Sequence, residues 1–578
     1  MKTGNLFRKK SIAHILSESA RQKAEGHAMQ RSLSVTDLTA LGVAAIVGAG
    51  IFSTIGNAAA SGGPAVSLLF VFTAIACGLS AMCYAEFASS IPISGSAYTY
   101  AYASFGELVA WIIGWTLIME YAIGNIAVAI SWSGYLTGLL NGTGVHLPDF
   151  LTTDYLTASR GFNEASAILA SGNAMDSLSP ALQEAWSAWT TAPTLMGIRL
   201  IGDIPAFMIV VLITWICYAG IRESKTTNNI MVLLKIGILL LVIGAGAFYV
   251  NPENWSPFAP NGIAGVLKGI SGVFFAYIGF DAISTTAEEC KNPRRDLPVS
   301  MFLALMITTI LYVAVSLVLT GMVPSSELGV ADPLAFVFSR LNLSGLSGII
   351  AVSAVVAMAS VLLVFQLGQP RIWMSMSRDG LLPKIFSKIH PKYKTPAFST
   401  IVTGFIVAVP SLFMNLTEVT DLTSIGTLFA FVLVSGGILV VNPHGSRNNE
   451  QRGFVVPYLN SRYFLLPIWL ALAVLIIKSD SDGTGTFFNP AKFPSLIHFL
   501  PFAFFMITSV IISFFAVWRK WSLIPVLGLL TNLYLMSELG LTNWSRFGIW
   551  MGIGLLIYFA YGMFHSRLRE VQLEQQNR

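Results

Sequence analysis

Two glycine-containing stretches interrupt long apolar segments of the sequence and could bind a small zwitterion. They are residues 47–52, VGAGIF, and residues 277–281, YIGFD. Hydrocarbon offers no hydrogen-bond partner to a peptide group, so a helix in a bilayer breaks only where protein or a water-filled cavity supplies one. Two such breaks at matching places in two halves of a chain predict a small-solute site near the middle of the membrane.

The first break offers backbone donors for a carboxylate. Small residues at 48–50 allow the chain to unwind and a ligand to approach, and the freed N–H groups lie near the end of a half-helix. The predicted binding residues here are Val47, Gly48, Ala49, Gly50 and Ile51. The competing interpretation is close packing of helices through small residues, which is common in membranes. The presence of a second break favours binding.

The second break offers backbone acceptors for an ammonium group. Unwound carbonyls at Phe275, Ala276 and Ile278 could accept its hydrogen bonds, and the Phe275 ring could close over the ligand as an external gate. The alternative is that these aromatic rings only fill the core of a helix bundle.

Lys235 lies well inside the fifth apolar segment. A charged lysine at mid-depth costs about 3 kcal/mol on insertion scales, so its presence needs a reason. Desolvation disfavours an ammonium group, and a lysine poised in this way could take up and release a proton in each cycle. Alternatively, the side chain extends to the headgroups. We favour proton coupling.

Glu120 is a carboxylate inside the third apolar segment. It could contact a bound solute, bond a neighbouring helix or stay protonated, and the sequence leaves these three roles open.

Composition assigns these residues to a membrane protein. The chain has 578 residues, of which 54% are hydrophobic and 11% charged, whereas a soluble domain has about 25% charged residues. Segments of roughly 20 apolar residues recur along its length, each enough to cross a bilayer. We predict an all-α polytopic protein with about 14 spans, near residues 36–60, 66–90, 108–139, 203–221, 227–249, 263–287, 298–321, 345–373, 397–415, 420–441, 463–478, 498–518, 522–540 and 545–564.

Positive charge predicts the orientation. Lys and Arg cluster in the N-terminal segment and in the loop after the eighth span, and such clusters mark the cytoplasmic side. Both termini are therefore expected in the cytoplasm. The net charge of +5 reflects this bias and membrane-lipid contact, and no nucleic-acid partner is expected.

The order of the spans predicts a repeat. Each broken span heads a block of five, and an odd number inverts the second block relative to the first. The predicted divisions are a cytoplasmic segment 1–34, a transport core 35–442 made of repeat one (35–250, with an external insert 140–202) and repeat two (262–442), four peripheral spans in 443–564, and a cytoplasmic tail 565–578.

Enzyme motifs are absent from the sequence. It contains no GxxxxGK[ST] phosphate-binding loop, no HExxH zinc motif and no GxSxG nucleophile elbow. The four cysteines lack metal-ligand spacing and are interpreted as packing residues. We therefore expect no enzyme activity, no cofactor and no metal.

Several motifs resemble the amino acid–polyamine–organocation superfamily and, within it, the cationic amino acid transporter family. They are residues 48–52, 275–281, 287–289, 292–293, 368–371, 377–383, 532–536 and 544–548. The resemblance implies a five-plus-five inverted-repeat fold with discontinuous helices 1 and 6, which hold the substrate carboxylate and ammonium. Lys235 is similar to a lysine of proton-coupled bacterial members, whose amine stands in for sodium. Ala49 departs from the Ser or Thr of many relatives, leaving the carboxylate to backbone groups.

The function expected from these observations is a bacterial inner-membrane symporter that imports amino acids with protons. Leu362, Leu363 and the aromatic residues indicate an apolar cavity, so we expect broad, mainly neutral specificity. The alternatives are an amino acid exchanger, a cationic amino acid transporter, or a membrane receptor that senses amino acids without net transport. The sequence does not predict the oligomeric state or a role for the insert.

Overall fold

The computed structural model describes residues 6–10, 33–91, 96–220, 225–287, 289–393, 395–445, 453–481 and 497–569. The α-helices up to residue 250 are α1 (Val35–Ile46), α2 (Ile55–Gly62), α3 (Val66–Ser90), α4 (Ser96–Ser104), α5 (Glu107–Gly142), α6 (Tyr155–Ala170), α7 (Pro180–Thr191), α8 (Ile204–Tyr218) and α9 (Lys225–Gly246). A short hairpin pairs β1 (Thr194–Leu195) with β2 (Ile198–Arg199).

The later α-helices are α10 (Gly262–Lys268), α11 (Ile270–Phe275), α12 (Ala282–Thr285), α13 (Pro293–Met322), α14 (Pro333–Arg340), α15 (Ser344–Arg378), α16 (Ala397–Ser411), α17 (Leu416–Val441), α18 (Ser461–Ser481), α19 (Leu500–Arg519), α20 (Leu523–Glu538), α21 (Gly540–Ile557) and α22 (Met563–His565).

Helices occupy all fourteen predicted spans, which confirms the prediction of an all-α polytopic fold. Among the described residues, eight helical segments are long and apolar enough to cross a membrane, and five further apolar helices are shorter. α3 illustrates the sequence logic. It buries Phe70 and exposes Leu68 and Ile75, so it is apolar both toward the protein and away from it, as a helix between protein and lipid must be.

Both predicted helix breaks are present. α1 ends at Ile46, Val47 has an extended ψ of 97°, and the chain resumes as a π-helical turn over Gly50–Thr54 before α2. In the sixth span, α11 ends at Phe275, residues 276–281 form turns, and α12 follows. Gly279 has a φ of +118° within those turns, a conformation that glycine adopts far more readily than other residues.

Helix contacts follow the pairing that an inverted repeat requires. Counting by spans, the second packs on the seventh (α3 on α13), the third on the eighth (α5 on α15) and the fourth on the ninth (α8 on α16). The first span contacts the fifth (α1 with α9) as the sixth contacts the tenth (α11 with α17). Three of these pairs thus join a span to its counterpart five spans later, and the first–fifth pair is matched by the sixth–tenth pair. The repeat boundaries at 35–250 and 262–442 stay a prediction.

The last four spans are integrated into the bundle to different degrees. α20 packs against α3, α17 and α19, and its Asn532 amide donates to Ser80 Oγ of α3 at 2.7 Å. α21 packs on α5, where the Trp111 and Trp115 indoles donate to the carbonyls of Gly554 and Trp550. These helices therefore support the core directly, although the sequence places them outside the repeat.

The insert at 140–202 is a small helical unit. It contains α6 and α7, and these two helices pack through stacked rings, with the Phe162 and Trp186 centroids 4.8 Å apart. Arg160 of α6 pairs with Glu418 of α17 at 3.0 Å. The insert is thus anchored at the start of the tenth span.

Candidate functional site

A cavity lies where the two broken spans meet α5, α15 and α17. Its position confirms that the two breaks approach each other. The described residues that line it are Ala45, Ile46, Gly48, Ala49, Gly50, Gly124, Val128, Phe275, Ile278, Val361, Phe365 and Thr423.

The cavity is nearly closed. It leaves about 10 Å³ for the centre of a water-sized molecule, which is room for about one water. Phe275, Val361 and Phe365 are 6%, 3% and 9% exposed. The cavity is therefore too small for an amino acid in this structure, and it would have to widen to admit one.

Glycine permits the two spans to touch. A Cβ built on Gly50 would lie 2.3 Å from the Ala276 Cα, and one built on Gly279 would lie 2.9 Å from the carbonyl of Ala45. Thr54 Oγ1 lies 2.7 Å from the Gly50 carbonyl and 2.9 Å from that of Gly272, which joins the spans a turn further on. The contact is between backbones, as a site built from peptide groups requires.

Side chains from other helices satisfy two carbonyls just before the first break. Lys235 Nζ of α9 donates to the Ala44 carbonyl at 2.8 Å, and Tyr312 Oη of α13 donates to the Ile46 carbonyl at 3.0 Å. Lys235 is 1% exposed, so it does not extend to the headgroups in this structure. It connects the fifth span to the turn of α1 that leads into the cavity.

The predicted site residues separate into two groups. Gly48, Ala49, Gly50, Phe275 and Ile278 line the cavity. The others, which are buried beside it or on an adjoining turn without lining it, are Val47, Ile51, Ala276 and Glu120.

Glu120 lies on α5 one helical turn before Gly124, on the same face of the helix. It is 3% exposed, and its Oε2 atom has no hydrogen-bond partner among the described residues. The carboxylate therefore lies next to the cavity rather than in its wall.

Sequence reasoning missed the lining residues on the unbroken helices. Gly124 and Val128 on α5, and Val361 and Phe365 on α15, are each four residues apart, which places each pair on one helix face. Leu362 and Leu363, named from sequence, are buried without lining the cavity. The i,i+4 spacing was the available signal, but it does not tell which face points inward.

The side chains of the cavity wall are mainly apolar, and its polar surface comes largely from backbone groups. Among the described lining residues, none has a charged side chain, and Thr423 supplies the only hydroxyl. That hydroxyl donates to the Val419 carbonyl of its own helix at 2.9 Å and keeps lone pairs for accepting a bond. Charge on a bound ligand would therefore be met by backbone groups of the two breaks.

Comparisons with known proteins extend over nearly the whole chain. A family model described as amino acid permease matches residues 33–518, and one described as the C-terminus of AA_permease matches residues 523–566. Branched-chain amino acid permease BcaP of Bacillus subtilis (strain 168) is 37% identical over 98% of this chain and 100% of its own.

Two other relatives differ in the solutes that their names state. Methylthioribose transporter of Bacillus subtilis (strain 168) is 36% identical over 98% of this chain and 100% of its own. Cationic amino acid transporter 2, vacuolar, of Arabidopsis thaliana is 30% identical over 98% of this chain and 93% of its own.

Proposed function

Because the chain belongs to the amino acid permease family, we propose that it imports neutral amino acids together with protons. Membership of this family supports amino acid transport, while the direction, the coupling ion and the selectivity are our proposal. The observation that carries it is the uncharged cavity between two broken helices, with a buried lysine bonded to one of them.

Backbone groups would hold the two charges of the substrate. The N–H groups of residues 48–51 lie where the first span restarts as a helix, and a helix N-terminus favours a carboxylate. The Val47 N–H instead closes α1 by donating to the Val43 carbonyl at 2.8 Å. The carbonyls of Phe275, Ala276 and Ile278 would accept from the ammonium group. The Phe275 ring lines the cavity, in keeping with a role as external gate.

Neutral side chains fit this cavity best. A bound Lys or Arg side chain would need an acceptor or a carboxylate, because an unpaired charge in an apolar site is costly. Glu120, one turn from Gly124, would reach a substrate only when the cavity widens toward it. A relative named for branched-chain amino acids supports aliphatic substrates.

Lys235 would couple the proton to the movement. A protonated amine makes a charge-assisted hydrogen bond to the Ala44 carbonyl, which is roughly twice as strong as a neutral one. Loss of the proton would weaken the link between α9 and α1 and free the first half-helix to move. Alternating access would then rock the broken spans against the rest of the core.

We also propose that the chain lies in a bacterial inner membrane with both termini in the cytoplasm. The first and last described segments meet on one side, since Arg8 and Ser566 both bond Glu107. The Lys- and Arg-rich loop after α15 lies on that same side, because Lys10 pairs with Asp379. The positive-inside rule assigns this side to the cytoplasm.

Uptake by proteoliposomes tests transport and coupling. One pH unit is worth about 1.4 kcal/mol, so an inward gradient of that size should drive about tenfold accumulation of labelled leucine at one proton per substrate. Lys235→Ala should abolish this dependence on the gradient. Lys268→Ala, which removes an exposed lysine, should retain it.

Other outcomes of the same assay identify the alternatives. A requirement for sodium, or for internal amino acid, would contradict proton symport, and counterflow would then indicate an exchanger. Preference for labelled lysine would indicate a cationic transporter, and preference for methylthioribose would contradict amino acid selectivity. Binding of leucine without flux would indicate a receptor.

A further inference from the structure

The loop between α15 and α16, residues 379–396, carries exposed cations and exposed apolar side chains together. We call it the basic loop. Lys384, Lys388 and Lys392 are exposed, and Ile385 and Ile389 are 42% and 50% exposed. None of the three lysines makes an ion pair with a carboxylate that the structure describes.

The backbone of this loop is held against the bundle. Phe386 stacks on Trp373 of α15 at 4.9 Å and contacts Phe398 of α16 at 5.1 Å. Its carbonyl accepts from Ser399 Oγ at 2.8 Å, and Thr395 Oγ1 donates to the Tyr218 carbonyl at 3.0 Å. The exposed side chains are therefore presented from a fixed base.

The apolar part of the loop continues the outer surface of the bundle. Phe398 is 38% exposed, and Ile401, one turn further along α16, is 55% exposed. In a membrane protein such side chains face lipid. Phe386, which follows Ile385, contacts Phe398 of this surface, so the loop adjoins the start of α16, where a spanning helix reaches the boundary between hydrocarbon and headgroups. Amphipathic segments of this composition bind at that boundary.

We propose that the basic loop binds anionic phospholipid. Ile385 and Ile389 enter the hydrocarbon boundary, and the three lysines pair with headgroup phosphates. Charge complementarity selects anionic lipid over zwitterionic lipid, because each basic residue near an anionic surface gains about fivefold in affinity. The lysines recur every four residues, and each isoleucine directly follows a lysine. This spacing places positive charges and apolar side chains side by side along the loop.

The experiment measures the thermal midpoint of the purified full-length chain in detergent during titration with phosphatidylglycerol or phosphatidylcholine. Phosphatidylglycerol should raise the midpoint at much lower concentration than phosphatidylcholine, and 0.5 M salt should weaken the effect. The triple variant Lys384→Gln/Lys388→Gln/Lys392→Gln should bind phosphatidylglycerol up to about 100-fold more weakly.

A control triple variant removes equal charge elsewhere, through Lys291→Gln, Arg294→Gln and Arg295→Gln, which are exposed cations before and within the first turn of α13. It should keep the wild-type response. The double variant Ile385→Ser/Ile389→Ser should weaken phosphatidylglycerol binding several-fold. It replaces the triple lysine variant as the test if that variant does not fold. Equal responses to the two lipids, equal losses in the two triple variants, or reproduction of the shift by inorganic phosphate would overturn the proposal.

Discussion

Gly50 and Gly279 decide how closely the two broken spans approach. At both positions a side chain would meet backbone of the other span, at 2.3 Å from Ala276 Cα and 2.9 Å from the Ala45 carbonyl. Backbone cannot rotate away as a flexible side chain can. The site therefore depends on these glycines for its geometry, independently of any role in contacting the substrate.

Gly50→Ala should weaken leucine binding by about 1–3 kcal/mol, the usual cost of overpacking, because the added methyl must separate the two breaks. The measurement is the leucine affinity of purified protein. Gly237→Ala on α9 is the control, since a Cβ there meets nothing within 4 Å. Unchanged affinity in Gly50→Ala would contradict the proposed clamp.

Gly124 should affect which side chains are accepted. A Cβ at this position would lie 3.6 Å from Thr423 Cγ2 and 3.8 Å from Phe365 Cε2, so alanine fits while reducing the space in the cavity. Gly124→Ala should lower leucine uptake relative to alanine uptake, since one methylene of misfit is worth about 1–3 kcal/mol. Gly548→Ala is the control, since a Cβ there meets nothing within 4 Å. Equal effects of Gly124→Ala on the two substrates, or a loss of the same size in Gly548→Ala, would contradict the placement of Gly124 beside the substrate side chain.

Some site residues could be predicted from sequence because their chemistry conflicts with their surroundings. Gly48 and Gly50 weaken a helix in a bilayer, and Lys235 places an ionisable amine there, so each demands an explanation. Val361 and Phe365 could not be predicted in this way. In a membrane helix, apolar residues occur both on the face toward lipid and on the face toward protein. The sequence therefore does not show which of them line a cavity, and only the packing of the helices does.

The segment of residues 6–10 packs against the start of α5 through a buried ion pair. Arg8 Nη2 lies 3.3 Å from Glu107 Oε1, and the two side chains are 3% and 0% exposed. Tyr558 and Ser566 also donate to this carboxylate, at 2.9 and 2.5 Å. One carboxylate at the start of α5 thus joins both ends of the described chain.

Arg8→Ala should destabilise the protein by about 3–5 kcal/mol, because it leaves the Glu107 carboxylate buried without its cation. The measurement is the thermal midpoint in detergent. Lys10→Ala breaks a more exposed pair with Asp379, with side chains 13% and 22% exposed, and should have a much smaller effect. Arg8→Met/Glu107→Gln should recover part of the loss. Equal shifts in the Arg8 and Lys10 single variants would contradict this account.

The helices themselves were predictable, since apolar runs long enough for a bilayer leave the chain few other structures. The insert at 140–202 was less so. α6 and α7 are held by contacts to each other, such as Phe162 against Trp186, and by the Arg160–Glu418 pair. Arg160 and Glu418 are far apart in the sequence, and the residues around Phe162 and Trp186 show no pattern that predicts their contact. Both contacts therefore become evident only in the folded chain.

Across the membrane core, the structure has the site assembled but too small to hold a ligand. Its two broken spans contact each other through backbone, and α5, α15 and α17 close the remaining sides. Substrate entry therefore requires the cavity to widen, by movement of these helices together with the Phe275 ring proposed as a gate. The link from Lys235 to Ala44 crosses between the fifth and first spans and would respond to such a movement.

The most direct test is an experimental structure of the chain in lipid nanodiscs with leucine bound. The leucine carboxylate should lie within hydrogen-bond distance of N–H groups in residues 48–51, and its ammonium group beside the carbonyls of Phe275, Ala276 or Ile278. Its side chain should point toward Gly124, Val361 and Phe365. Leucine bound elsewhere, or first and sixth spans that become continuous helices without a cavity between them, would contradict the account.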